Sequence, residues 1–201
     1  MKIKPIHLLK DKSYLTENFI MSSKLLGEKW DIWLKEFILT TDINILDFFA
    51  SKIKKFDYSN RLRPILIELL SLEYEQLKLQ INPKKRLVES SGVIKLCSNL
   101  KIMNIKYCLL EYINNNEINF EKCEYETTKD IALSFDDDSL KVKLTPLKEI
   151  DLAIINLLRN FDIKEGDFFG HLTKSNIENK KLDKKLILNR VKYLKGQQII
   201  N

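Results

Sequence analysis

Glycine is scarce in this chain, five residues in 201, and Gly27, Gly92, Gly166, Gly170 and Gly196 are isolated from one another. That spacing excludes a glycine-rich phosphate loop, which needs several glycines close together so that backbone amides can approach a phosphate. Histidine is scarcer still. His7 and His171 form no His-Glu-x-x-His helix and lie far from every cysteine, so a zinc site built from a local motif is not expected. The three cysteines, Cys97, Cys108 and Cys123, are odd in number and outside metal-ligand spacing. They read as free thiols in a reducing compartment. No apolar run approaches the roughly 20 residues needed to span a bilayer. Lys10, Asp11 and Lys12 interrupt any signal-peptide core after the basic start Met1–Pro5, so a cytoplasmic location is expected.

Carboxylates are plentiful but poorly arranged for chemistry. The acidic turn Asp136-Asp137-Asp138 lacks the glycine and distal glutamate of a calcium loop and reads as hairpin turn chemistry. Glu73 and Glu75 form a candidate acid–base pair, but adjacent charges at the end of an amphipathic helix are ordinarily solvated or salt-bridged. No nucleophile elbow is present. The chain is not expected to be an enzyme on its own, and no catalytic residue, metal ligand or cofactor-binding residue is assigned to it.

What is present is a soluble globular composition, 44% hydrophobic and 31% charged, in a chain long enough for one large domain or two small ones. The first eighty residues read as helices. Ser13 is a candidate cap for a helix over Tyr14–Leu26 that stops at Gly27. Glu28–Leu39 follows with Trp30, Trp33, Leu34, Phe37 and Ile38 at helical spacing. Thr41 or Asp42 can cap the next helix, and Pro64 sits near the start of a fourth that runs to about Gln80. Trp30, Trp33, Phe48 and Phe49 are read as core rather than pocket. The polar turn Asn82-Pro83-Lys84-Lys85 is the candidate boundary, giving a helical domain over 1–82 and a second domain over 86–201.

The second domain reads as strands followed by helices. Val93–Cys97 is a short strand, and Asn99–Tyr112 fits either helix or strand. Strand signals follow at 122–128, 131–135 and 140–145. Pro146 is expected to open a helix striped by Leu147, Ile150, Ile154, Leu157, Leu158 and Phe161. A short helix lies within Asp162–Thr173, and a last helix near Lys180–Lys195. That last helix carries two apolar stripes, one of Ile187, Val191 and Leu194 and the other of Leu182, Leu186 and Tyr193. One stripe is enough to seat a terminal helix, so the second implies a further contact, with the N-terminal helices or with a partner chain. From Lys174 onward there are eight basic residues against two acidic, so the chain's net +6 lies entirely there. A basic helix after a hairpin suits a DNA-binding winged helix, and it equally suits a solvated lysine face. The expected class is α+β: an N-terminal helical bundle followed by a winged-helix domain with a small antiparallel sheet.

The two halves together resemble a known family. Leu25-Leu26-Gly27-Glu28-Lys29-Trp30 with Leu34, then Phe48-Phe49 and Ile53, then Ile67–Tyr74 are similar to the N-terminal half of the partner proteins of multinuclear non-heme iron-dependent oxidases (MNIOs). These include the MbnC-like proteins of methanobactin biosynthesis. The second half matches in order: Arg86-Leu87-Val88, then strands, then Leu144-Thr145-Pro146-Leu147 leading to Ile154 and Leu157-Leu158. It is also similar to the PqqD-like recognition elements of peptide-modifying (RiPP) pathways. Here the helix joints read Thr40-Thr41-Asp42 and Phe56-Asp57-Tyr58, where longer members of the family have proline-rich joints.

The resemblance implies a division of labour. An MbnB-like iron oxidase subunit would hold the metal and oxidise a cysteine in an MbnA-like precursor peptide, giving an oxazolone with an adjacent thioamide in the methanobactin case, a copper-chelating product. This chain would bind the leader and present the core, in a heterodimer with the oxidase. Strand addition to an exposed sheet edge is the mechanism implied. The edge expected to serve is Ser139–Thr145, paired on its other side with Ile131–Phe135, and the expected peptide-binding residues are Ser139, Leu140, Lys141, Val142, Lys143, Leu144, Leu186, Arg190 and Tyr193. Lys141 and Lys143 are equally explained as charges that discourage edge-to-edge aggregation. The alternative is a winged-helix DNA-binding transcriptional regulator. Its lysine-rich arc lacks the arginine, asparagine or glutamine readers that base recognition favours.

Overall fold

The structure, a computed structural model, describes residues 10–41, 43–60, 62–83, 92–107, 109, 125–136, 139–174 and 184–200. It is an α+β protein whose helices come first and whose strands follow. It divides into two compact units, one comprising Met1–Asn82 and Ile105–Thr128, the other Pro83–Asn104 and Lys129–Asn201.

Among the described residues the first unit carries α1 (Lys12–Asn18), α2 (Ile20–Leu26), α3 (Glu28–Leu39), α4 (Ile45–Lys55) and α5 (Leu62–Ile81). Asp11, rather than Ser13, caps α1 by accepting the Tyr14 amide. The expected single helix over Tyr14–Leu26 is broken at Phe19, whose backbone leaves helical geometry at φ −114°, ψ 48°. The break lets a fully buried Phe19 ring reach Trp30, centroids 5.7 Å apart. Gly27, at φ +52°, ends α2 and starts α3. A left-handed residue is inexpensive there only as glycine. Asn44, rather than Thr41, caps α4, accepting the Asp47 amide. Trp30 packs on Phe49 with centroids 4.7 Å apart and ring planes tilted by 35°, and Trp33 meets Phe49 and Phe56 edge-on. These aromatics are therefore core, each contributing on the order of 2–3 kcal/mol by burial.

In the second unit β1 (Val93–Ile94) pairs antiparallel with β5 (Ile163–Lys164). A three-stranded sheet has the order β2-β3-β4, from Leu100–Tyr107, Tyr125–Asp136 and Lys141–Pro146. Then come α6 (Glu149–Asn160), α7 (Phe168–Lys174) and α8 (Lys184–Gly196). The ambiguous Asn99–Tyr112 segment is strand from Leu100 to Tyr107, and the strand signals expected at 122–128 and 131–135 join, over the described residues, in the single strand Tyr125–Asp136; residues 108, 110–112 and 122–124 lie outside the described residues. Pro146 does not open a helix. It closes β4, and Lys148 is the cap of α6. The core of this unit gathers Ile154, Ile155 and Leu158 of α6, Phe168 and Leu172 of α7, and Ile187, Val191 and Leu194 of α8. The final residues return to it: Cys97 N–H donates to the Ile199 carbonyl at 3.0 Å, and Leu96 bridges Ile200.

Candidate functional site: the β4 edge and its helix

β4 lies at the end of the sheet order, with β3 as its one neighbouring strand among the described residues. The register runs from Ile131 opposite Pro146 to Asp136 opposite Lys141. In an antiparallel pair, successive residues direct their peptide groups to alternate sides. Leu147 N–H donates to the Asp130 carbonyl at 2.8 Å, while Phe135 N–H donates away from β4, to the Asn99 carbonyl at 3.1 Å just before β2. Lys141, Lys143 and Thr145 therefore bond to β3. Val142 and Leu144 direct both N–H and C=O outward, and Pro146 directs only its carbonyl outward. Among the described residues this outward edge has no strand partner; it is short, and a residue with no donor terminates it.

One face of the hairpin is fixed to the end of α8. Ser134 Oγ donates to the Gln197 carbonyl at 2.7 Å, and Thr145 Oγ1 lies 3.4 Å from Gln197 Oε1. Asp136 is expected from the sequence in the acidic hairpin turn Asp136-Asp137-Asp138. It is instead the last residue of β3 and buried, bonded to Gln198 Nε2 at 2.9 Å and paired with Lys143 at 2.7 Å. Asp137 and Asp138 lie outside the described residues.

Just past β4, Asp151 is fully buried in the first turn of α6. It accepts the Lys148 amide at 2.8 Å and Arg190 Nε at 2.8 Å, and a second guanidinium nitrogen completes a bidentate pair. The hydrogen bond to Asp151 raises the Arg190 pKa against the opposing effect of burial. The Arg190 guanidinium also lies 4.2 Å from the centroid of the Tyr193 ring. Arg190 thus braces α8 to the first turn of α6, with its guanidinium over the Tyr193 ring.

The expected site residues fall in three places. Ser139 and Leu140 lie in the turn before the strand, both exposed, with Leu140 at φ +55°. Lys141, Val142, Lys143 and Leu144 form β4. Leu186, Arg190 and Tyr193 share one flank of α8, within about 60° of each other at about 100° per residue. Leu186 is 50% exposed and Tyr193 37%, whereas the stripe of Ile187, Val191 and Leu194 is buried. Leu182 lies outside the described residues. Asp151, Gln197 and Gln198 were not anticipated, although an acid at the third position of a helix is a recognisable capping signal.

Glu73 is not solvated. It is buried in α5, and its two carboxylate oxygens accept the amides of Met21 (2.7 Å) and Ser22 (3.1 Å), the first turn of α2. Burial pushes its pKa up to about 7 against the lowering effect of those hydrogen bonds. Glu75 pairs with Lys78 instead, so the two acids do not act together. Among the described residues, no three His, Cys, Asp or Glu side chains converge as a metal site, and no helix is long and apolar enough to cross a membrane. Compared with known proteins, the chain matches no family model and no curated relative.

Proposed function

We propose that this chain is a non-catalytic, cytoplasmic subunit that binds the leader of a ribosomally made precursor peptide and presents its cysteine-containing core to a separate iron-dependent oxidase of the MNIO type. Modification of the methanobactin kind, to an oxazolone and thioamide, is the form the resemblance favours. The observation that carries the reading is the pairing of an open strand with an exposed apolar flank. Val142 and Leu144 offer backbone groups outward, and exposed Leu186 and Tyr193 lie on α8, whose C-terminal end is hydrogen-bonded to the same hairpin through Gln197. A peptide added to β4 would alternate its side chains, every second one turning toward α8.

Val142→Pro tests it. The substitution deletes an outward donor and leaves every β3–β4 hydrogen bond in place, because Val142 N–H faces away from β3. Loss of one intermolecular hydrogen bond, about 0.5–1.5 kcal/mol, lowers leader affinity roughly three- to tenfold. Fluorescence anisotropy with a labelled leader reads this out, and unchanged affinity in a folded variant removes β4 as the dock.

A second reading, duplex DNA binding, is favoured by the exposed lysines of α8. It requires affinity that falls steeply with salt and differs between sequences. Salt-sensitive binding with no sequence preference counts against a regulator.

A further inference from the structure

We infer that α8 is a two-sided helix, and that the flank opposite Leu186, Arg190 and Tyr193 docks an acidic surface of the partner oxidase. The inference rests on the proposed heterodimer and adds the surface through which it forms. Lys184, Lys185, Leu188, Lys192 and Lys195 fall within about 100° on the helical wheel, nearly opposite Leu186, Arg190 and Tyr193. All five are exposed, and Leu188, at 47%, sits in the middle of the four lysines. The contacts fix which way each flank points. Lys184 Nζ lies over the Phe169 ring at 5.7 Å and Lys195 reaches Glu165 at 3.4 Å, so the lysine flank is on the α7 side. Arg190 reaches Asp151 on the α6 side.

The helix carries five basic residues and no acidic one over Lys184–Gly196. Charge complementarity therefore calls for an acidic partner. An apolar residue at the centre of a charged ring matches the arrangement of protein–protein contacts, a dry anchor with a polar rim. Phosphate recognition has no use for that leucine. A strand on β4 and a protein on the lysine flank would not compete, so the peptide could be held while the oxidase is engaged.

The test uses the full chain, a purified MNIO-type oxidase from the same genome, a labelled leader, and mixed-sequence duplex DNA. Leu188→Asp and Lys192→Glu replace exposed groups, and circular dichroism checks that both variants fold. Each is expected to weaken oxidase binding about tenfold at low salt, while leader affinity stays at the wild-type value. Oxidase binding unchanged in both variants overturns the docking surface and leaves the leader-binding reading intact. DNA binding as tight as oxidase binding, lost in Lys192→Glu but kept in Leu188→Asp, also overturns it by making the lysines a phosphate surface. If the wild-type chain binds leader but no oxidase, the docking surface and the heterodimer fail together.

Discussion

Replacing Glu73 with glutamine should change how the stability of the first unit depends on pH. The carboxyl is buried, its pKa is raised from 4.5 to about 7, and desolvation is the largest cause. In the unfolded chain the group returns to its ordinary value. Between about pH 4.5 and 7 the folded protein therefore holds a proton that the unfolded chain has released, and stability falls as pH rises through that window. A shift of this size corresponds to about 3 kcal/mol of stability, present below pH 4.5 and lost above pH 7. The neutral amide has no such dependence. It keeps one acceptor for the Met21 and Ser22 amides and gives up the second, a cost of about 1 kcal/mol. Trp30 and Trp33 are the only tryptophans, so their fluorescence in urea reports this unit. The difference in unfolding free energy between wild type and Glu73→Gln should move by about 3 kcal/mol in the variant's favour from pH 5 to pH 8, a midpoint shift on the order of 1–3 M urea. Parallel curves for the two proteins across that range would refute the buried-acid reading.

Other perturbations test the remaining geometry. Arg190→Met leaves Asp151 buried without its cation and should cost roughly 3–5 kcal/mol in thermal unfolding, much of it recovered by adding Asp151→Asn; a single-mutant loss under about 1 kcal/mol denies the brace. Gly27→Ala meets no atom within 4 Å, so any loss, about 1–3 kcal/mol, comes from the positive φ alone, and a neutral result means the joint has another shape. Leu140→Gly should stabilise by up to about 1 kcal/mol, since Leu140 is 70% exposed and held at φ +55°. A drop in melting temperature there would mean that the leucine makes a contact of its own.

The helical half was legible where one residue type decided the outcome. The aromatic face Trp30, Trp33, Leu34, Phe37 and the glycine stop at Gly27 read directly from spacing. The break at Phe19 did not, because its cause is distant: the acid that receives the first amides of α2 is Glu73, more than fifty residues on. For the same reason Glu73 read as a surface charge. Asp136 was misread because a run of three aspartates suggests a turn, yet the partners that make its burial tolerable, Lys143 and Gln198, lie across the hairpin and near the C-terminus. Pro146 was placed at the start of a helix by a rule that suits proline equally at the end of an edge strand, where no neighbour requires its missing donor. The two stripes of α8 were visible in sequence. Which of them is buried depended on the fold.

The shortness of the β4 edge bears on how a peptide could be chosen there. Val142 and Leu144 each offer a donor and an acceptor, and Pro146 adds one acceptor. Five hydrogen bonds at about 0.5–1.5 kcal/mol each give only a few kcal/mol. Losing translational and rotational freedom on association costs about 4–15 kcal/mol, so the ladder alone holds nothing. An arbitrary strand, including the β4 of a second copy, would meet the same truncated ladder beside an exposed Lys141 and would not persist. On the proposed function, the balance would have to come from side chains of the peptide, for which exposed Leu186 and Tyr193 on α8 offer apolar contact. On that same proposed function, the backbone of β4 would set the line and register of a bound peptide, and the flank of α8 would decide which peptide stays.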